Sequence, residues 1–172
     1  MSKAHPFLHQ TPWPKEKLSH DLLQKKIQRL LTRQNMGVLA TTGKNGPIAS
    51  PVEFYAEGMA VWIYPQPGSP KIRAMENDPR VSFAVHMPFV GWSSTCGAQL
   101  FGKAQLFPAG TPEFDHGLDI FRWQTTAIEL DRDVTQKPGG MLLKIDPDKV
   151  VYTEHWLRKD GFAPRQIWRK HS

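Results

Sequence analysis

The sequence predicts a mainly β domain with flanking helices, in which six or seven antiparallel strands curl into a small barrel. Three observations carry this. Strand-length runs rich in apolar, aromatic and β-branched residues recur from Met36 to Glu154. The dipeptides Asn45-Gly46 and Glu57-Gly58 join neighbouring runs as hairpins. Only two stretches have a helical period, so helices border the strands rather than alternate with them.

The elements follow in order. Leu18, Leu22, Leu23, Ile27, Leu30 and Leu31 recur at helical spacing behind a Ser19 cap, and Asn35 with Gly37 ends that helix. Strands are expected at Met36 to Thr42, Pro47 to Tyr55, Met59 to Tyr64, Val81 to Met87 and Gly97 to Phe107. A second long helix is expected from Thr111-Pro112 to Asp131, with Phe114, Leu118, Phe121 and Ile128 facing inward. Two closing strands, Met141 to Ile145 and Lys149 to Glu154, flank a turn at Asp146-Pro147-Asp148. Met59, Val61 and Ile63 alternate with Ala60, Trp62 and Tyr64, so both faces of that strand are apolar; one is expected in the barrel and the other against a second subunit.

Composition narrows the function. The chain has 172 residues, 40% of them hydrophobic, enough for one domain with a sizeable core. No apolar run is long enough to span a bilayer, and the first residues lack the apolar centre of a signal peptide, so a cytoplasmic protein without a membrane partner is expected. The single cysteine, Cys96, excludes an internal disulfide and reads as a small hydrophobe. The net charge of +6 sits at the ends: residues 1–35 hold seven Lys/Arg against two acids, and residues 156–172 hold five against one. The body is slightly acidic and has no basic stripe among exposed aromatics, which argues against a nucleic-acid partner. The domain is thus read as one unit with an extended arm (1–17) and a basic tail (156–172). The tail has no strong apolar period and is expected to order only by docking.

The richest stretch is Tyr64 to Arg80, a strand running through a Pro/Gly turn into a short basic helix. Ser69 suits the cap, Pro70 the first helical position, and Lys71 and Arg73 add charge to a helix start that already favours anions. An ordinary capped helix reads the same way locally.

Taken together, MGVLATTGKNGPIASPVEFYAEGMAVWIYPQPGSPKIRAMENDPRVSFAVHM and the later GAQLFGKAQLF resemble the FMN-binding split barrel of the pyridoxamine 5′-phosphate oxidase superfamily. The resemblance spans about residues 18 to 155 and makes the expected barrel a six- or seven-stranded antiparallel split β-barrel. It implies a homodimer with FMN at the subunit interface and a small-molecule substrate. By resemblance, Lys71 holds the FMN phosphate with the Ser69 hydroxyl nearby, Arg73 supplies the charge that Pro70 lacks, and Tyr64 and Pro65 form the strand end beside the phosphate. Ala49, Ser50, Pro51 and Val52 match the strand that runs along the flavin. The family's flavin-contacting glutamine aligns with Gly97, and Gln99, on the same strand face, is the candidate for its role. Trp156 and Arg165 resemble the terminal tryptophan and arginine of the oxidases, but the spacing differs and no histidine follows Arg165. Vitamin B6 oxidation is therefore not implied.

The tail is expected on the flavin cleft, so that removing everything after Glu154 leaves the barrel folded but loosens FMN. Other candidates carry less. His5 and His9 have helical metal spacing but flank Pro6; His86 reads as a half-exposed strand residue; Asp115, His116 and Asp119 read as a solvated helix face. Two functions remain: an FMN-dependent oxidoreductase, for which no catalytic acid or base need appear in the sequence, and a non-enzymatic flavin- or haem-binding barrel for sensing, storage or electron transfer, with His155 or His171 as iron ligand.

Overall fold

A computed structural model describes residues 12–170. Helix α1 (His20–Arg33) begins where the Ser19 hydroxyl accepts the Leu22 amide at 3.4 Å. It buries Leu23, Ile27, Leu30 and Leu31, while Leu22 is exposed, one position off the buried stripe. The strands are β1 (Met36–Gly43), β2 (Gly46–Glu53), β3 (Tyr55–Glu57), β4 (Ala60–Ile63), β5 (Arg80–His86), β6 (Cys96–Pro108), β7 (Met141–Glu154) and β8 (Arg165–Arg169). They form one antiparallel sheet in the order β2-β1-β5-β6-β7-β4-β3, with β8 also on β7. This curled, mainly β sheet with a few flanking helices is the split barrel that was expected. Leu39, Phe54, Val61, Ile63, Phe83, Leu100, Leu143, Ile145 and Val150 fill its interior, and α1 closes it with Ile27 and Leu31.

Several elements differ from expectation, each for a local reason. The first hairpin turns at Lys44-Asn45, because Gly46, at φ +121°, pairs with Gly43 as the first residue of β2. Phe54 interrupts the second strand: its amide donates to the Asn35 carbonyl at 2.9 Å and its side chain is fully buried. The second helix breaks into α3 (Pro112–Phe121) and α4 (Trp123–Glu129) at Arg122, which is left-handed at φ 55°. That break resets the phase, so Trp123 and Ala127 are buried and Ile128 is exposed. Asp146-Pro147-Asp148 is not a turn. β7 runs through it, and a bulge leaves Asp148 unpaired between the pairs Phe101–Lys149 and Gly102–Pro147.

Both faces of β4 are buried, but within one protomer. Val61 and Ile63 face the barrel, whereas Trp62 packs under α3 with Phe114 and Leu118. The expected subunit contact on this strand is therefore replaced by α3. Its outer face is solvated as expected, with Asp115, His116 and Asp119 exposed, and is tied down at its rim: His116 Nε2 lies 2.7 Å from Glu57 Oε1, the Trp62 indole donates to Glu57 Oε2 at 3.0 Å, and Asp115 pairs with Lys137 at 2.9 Å. These bonds hold the Glu57 carboxyl below its usual range.

The basic tail is part of the sheet. After a 3-10 turn at His155–Asp160, β8 pairs with residues 149–153 of β7 and buries Gln166 and Trp168. The Gln166 side chain accepts the Leu18 amide at 3.2 Å, and the Trp168 indole donates to Gln24 at 3.2 Å. A free tail is thus excluded. The arm is described only from residue 12, and Glu16 bridges Phe162.

One glycine limits this packing. A Cβ on Gly37 would enter the Phe83 ring and come within 2.9 Å of the Ala84 carbonyl. Gly37→Ala should lower stability by about 1–3 kcal/mol through overpacking, outweighing the ~0.4–1 kcal/mol gained from a stiffer unfolded chain. A thermal melt checks this, and a raised midpoint would refute the packing described for Phe83.

Candidate functional site

The expected strand–turn–helix junction is present, with a different internal wiring. Helix α2 (Pro70–Asn77) starts after Gly68 (φ +69°) and Ser69. Ser69 occupies the cap position, yet its side chain bonds no amide; its hydroxyl oxygen is buried without a hydrogen-bond partner. Lys71 is half-buried and its ammonium has no partner among the described residues. Arg73 turns back, donating from Nη1 to the Gly68 carbonyl at 2.8 Å, so it braces the turn. α2 packs beside the first hairpin, and a cleft of about 710 Å³ lies between Pro70, Arg73, Ala74 and Asn77 and the 42–48 segment. Lys44, in that segment, is a second cation that sequence reasoning missed, because only the fold brings the hairpin to the helix.

The Tyr64 side chain is directed to the α3 cluster rather than to the junction. The Tyr64 ring packs on Phe121 in the α3 cluster and its hydroxyl donates to the Gly139 carbonyl; burial raises its pKa and keeps it protonated. Pro65 is buried.

Ala49, Ser50, Pro51 and Val52 lie on β2, at the edge of the sheet, where a proline does least harm. Register then reveals a surface. Pro51, Val38, Ala84, Gln99, Val151 and Ile167 are successive cross-strand neighbours over β2, β1, β5, β6, β7 and β8. Beside them run Ala49, Ala40, Ser82 and Phe101. This outer face is small and apolar, with Met36, Val38 and Ile167 at 54%, 37% and 57% exposure. Gln99, exposed at its middle, donates to the Ser82 hydroxyl at 3.2 Å. The signal for it was in the sequence: Met36, Val38 and Ala40 make the non-core side of β1 apolar.

Trp156 and Arg165 are not brought to this site within one protomer. Trp156, 45% exposed, stacks under Lys159 beside α1, and Arg165 opens β8, with four strands between it and β2 in the sheet order. His155 Nδ1 lies 2.8 Å from the Trp92 carbonyl, with its ring against Trp92 and Trp13. His86 is exposed on β5. His5, His9 and His171 lie outside the described residues, and no cluster of three metal-ligating side chains occurs among the described ones. No helix among them is long and apolar enough to cross a membrane.

The comparisons agree with this geometry. Among solved structures, the General Stress Protein 26 from Bacillus anthracis superposes with a TM-score of 0.61 at 22% identity, over 86% of this chain and 98% of that one. A FAD-binding protein from Mesorhizobium loti gives 0.56 at 21%, over 73% and 90%. A heme binding protein from Mycobacterium smegmatis gives 0.62 at 19%, over 85% of this chain and 57% of that one. None of the curated proteins matches the sequence. The family model for pyridoxamine 5′-phosphate oxidase matches residues 23–154, which takes in most of α1, every strand of the barrel but β8, and the α2 junction. The chain belongs to the pyridoxamine 5′-phosphate oxidase family.

Proposed function

We propose that the protein is an FMN-dependent oxidoreductase that acts on a small molecule as a cytoplasmic homodimer. The observation that carries the reading is the Ser69 hydroxyl, buried and unpartnered beside the unpaired Lys71. A buried hydroxyl without a partner costs free energy, and a phosphate oxygen at that point would satisfy it. The residues present therefore fit the group: Ser69, Lys71 and the first-turn amide of α2 for the phosphate, the free edge of β2 for the ring. Bound there, the flavin supplies hydride or single-electron transfer, and the protein's part is to hold, orient and shield it. Family membership and flavin binding by the Mesorhizobium loti neighbour support the choice.

The subunit partner belongs on the outer sheet face rather than on β4. A contiguous apolar patch of this kind marks an interaction site, and a self-complementary face forms a two-fold dimer. Its continuity with Gln99 and Pro51 supports a ring position at the same seam.

The absorbance spectrum of the purified protein tests the cofactor. Flavin bands are expected; a Soret band would replace this reading with the haem one. Light scattering tests the assembly: the wild type should be dimeric, and Val38→Glu monomeric with weakened FMN binding. A monomeric wild type with FMN bound overturns the interface.

A further inference from the structure

We infer that the cleft where α1 meets the end of the barrel is a second ligand site, for an amphipathic anion with one oxyanion head and an apolar body. The cleft holds about 370 Å³, within the range of small-molecule sites. Lys26, Arg29 and Arg33 all line it, spaced so that they share one face of α1. The one acid in its lining is Glu154, and that carboxylate is already engaged. Lys26 Nζ lies 2.8 Å from Glu154 Oε2, and the Tyr152 hydroxyl donates to the same oxygen at 2.8 Å. Cys96 Sγ, 3.5 Å from the Tyr152 oxygen, completes the chain, and burial raises the pKa of both groups so that both stay neutral.

Arg29 and Arg33 are left over. Neither guanidinium has an ion-pair partner among the described residues. The helix dipole accounts for Arg33 in the last turn, but not for a second arginine one turn earlier facing the same cleft. The remaining walls are apolar except for Ser94, whose hydroxyl is bonded within its own turn to Gly91: Leu30, Met87, Val90 and Trp156, with Val90 at 86% exposure. Uncompensated guanidinium groups above aromatic and aliphatic walls select a carboxylate, sulfonate or phosphate carried on an apolar body. The site does not depend on the flavin reading. Cys96 and Tyr152 face the barrel side of β6 and β7, whereas Gly97, Gln99 and Val151 point to the outer face.

The test is a fluorescence titration of the full chain with anilinonaphthalene sulfonate in saturating FMN, compared with uncharged phenylnaphthylamine. The sulfonate should bind saturably, and Arg29→Gln with Arg33→Gln should weaken it about tenfold or more, the scale of a lost charge-assisted bond, while the uncharged dye binds unchanged. Trp156→Ala should weaken both dyes. Both arginines are exposed, so the double variant should fold. Wild-type sulfonate affinity in the double variant, equal losses for the two dyes, no effect of Trp156→Ala, or displacement of the dye by FMN would each overturn the site.

Discussion

Lys71→Ala is expected to weaken FMN binding by about 1.5–3 kcal/mol, roughly ten- to a hundredfold, the scale of one charge-assisted hydrogen bond. The ammonium has no other partner among the described residues, so its removal orphans nothing and should leave the fold intact. Riboflavin, which lacks the phosphate, should bind the wild type far more weakly than FMN and should not distinguish it from the variant. Ser69→Ala separates a ligand site from an ordinary helix cap. A capping serine costs about 0.5–2 kcal/mol of stability when replaced by alanine. Here the hydroxyl bonds nothing, so the variant without FMN should be as stable as the wild type or more so, and only its FMN affinity should fall. Isothermal titration and thermal melts read both quantities. Unchanged FMN affinity in folded Lys71→Ala, or a destabilised Ser69→Ala without ligand, would return the junction to simple capping.

Removing the chain after Glu154 should abolish cooperative folding. The deletion takes away Leu157, Gln166 and Trp168, all at most 4% exposed, and uncovers the β7 edge over residues 149–153. Truncating one buried tryptophan alone costs about 3–5 kcal/mol, a large part of a domain's whole stability. Trp168→Ala should therefore lower the melting midpoint steeply, and the deletion should yield a chain prone to edge-to-edge association. A truncated protein that melts cooperatively near the wild-type temperature would refute the docking of β8.

This outcome reverses the expectation drawn from the tail's sequence, and the reason is physical. Arg165 to Arg169 alternates exposed and buried positions over five residues, too short a run to stand out, and its buried members include a glutamine. Gln166 is buried because it bonds residues some 150 positions away, which no local pattern encodes. By contrast, α1 and strands β1, β5 and β6 were legible because their apolar positions recur over seven or more residues and face the barrel core. At the site, Ser69 and Lys71 were legible as chemistry, but not that Ser69 would be unpartnered or that Arg73 would brace its own turn. The two helices of the 112–129 region were read as one because nothing in Arg122 announces a left-handed residue. Trp156 and Arg165 were placed by family likeness across a segment whose spacing departs from the family's, and within one protomer they lie away from the α2 junction.

The bond from the Leu18 amide to Gln166, 148 residues apart, also constrains how the protein is made. The first helix leaves the ribosome long before the strand that covers its flank, because α1 and β8 stand at opposite ends of the fold's sequence order. Non-local closure of this kind slows folding, and the nascent chain carries a greasy, unsealed helix throughout its synthesis. The flank of α1 can therefore be sealed only once β8 has been made, and a ribosome stalled before codon 165 should hold a protease-sensitive α1.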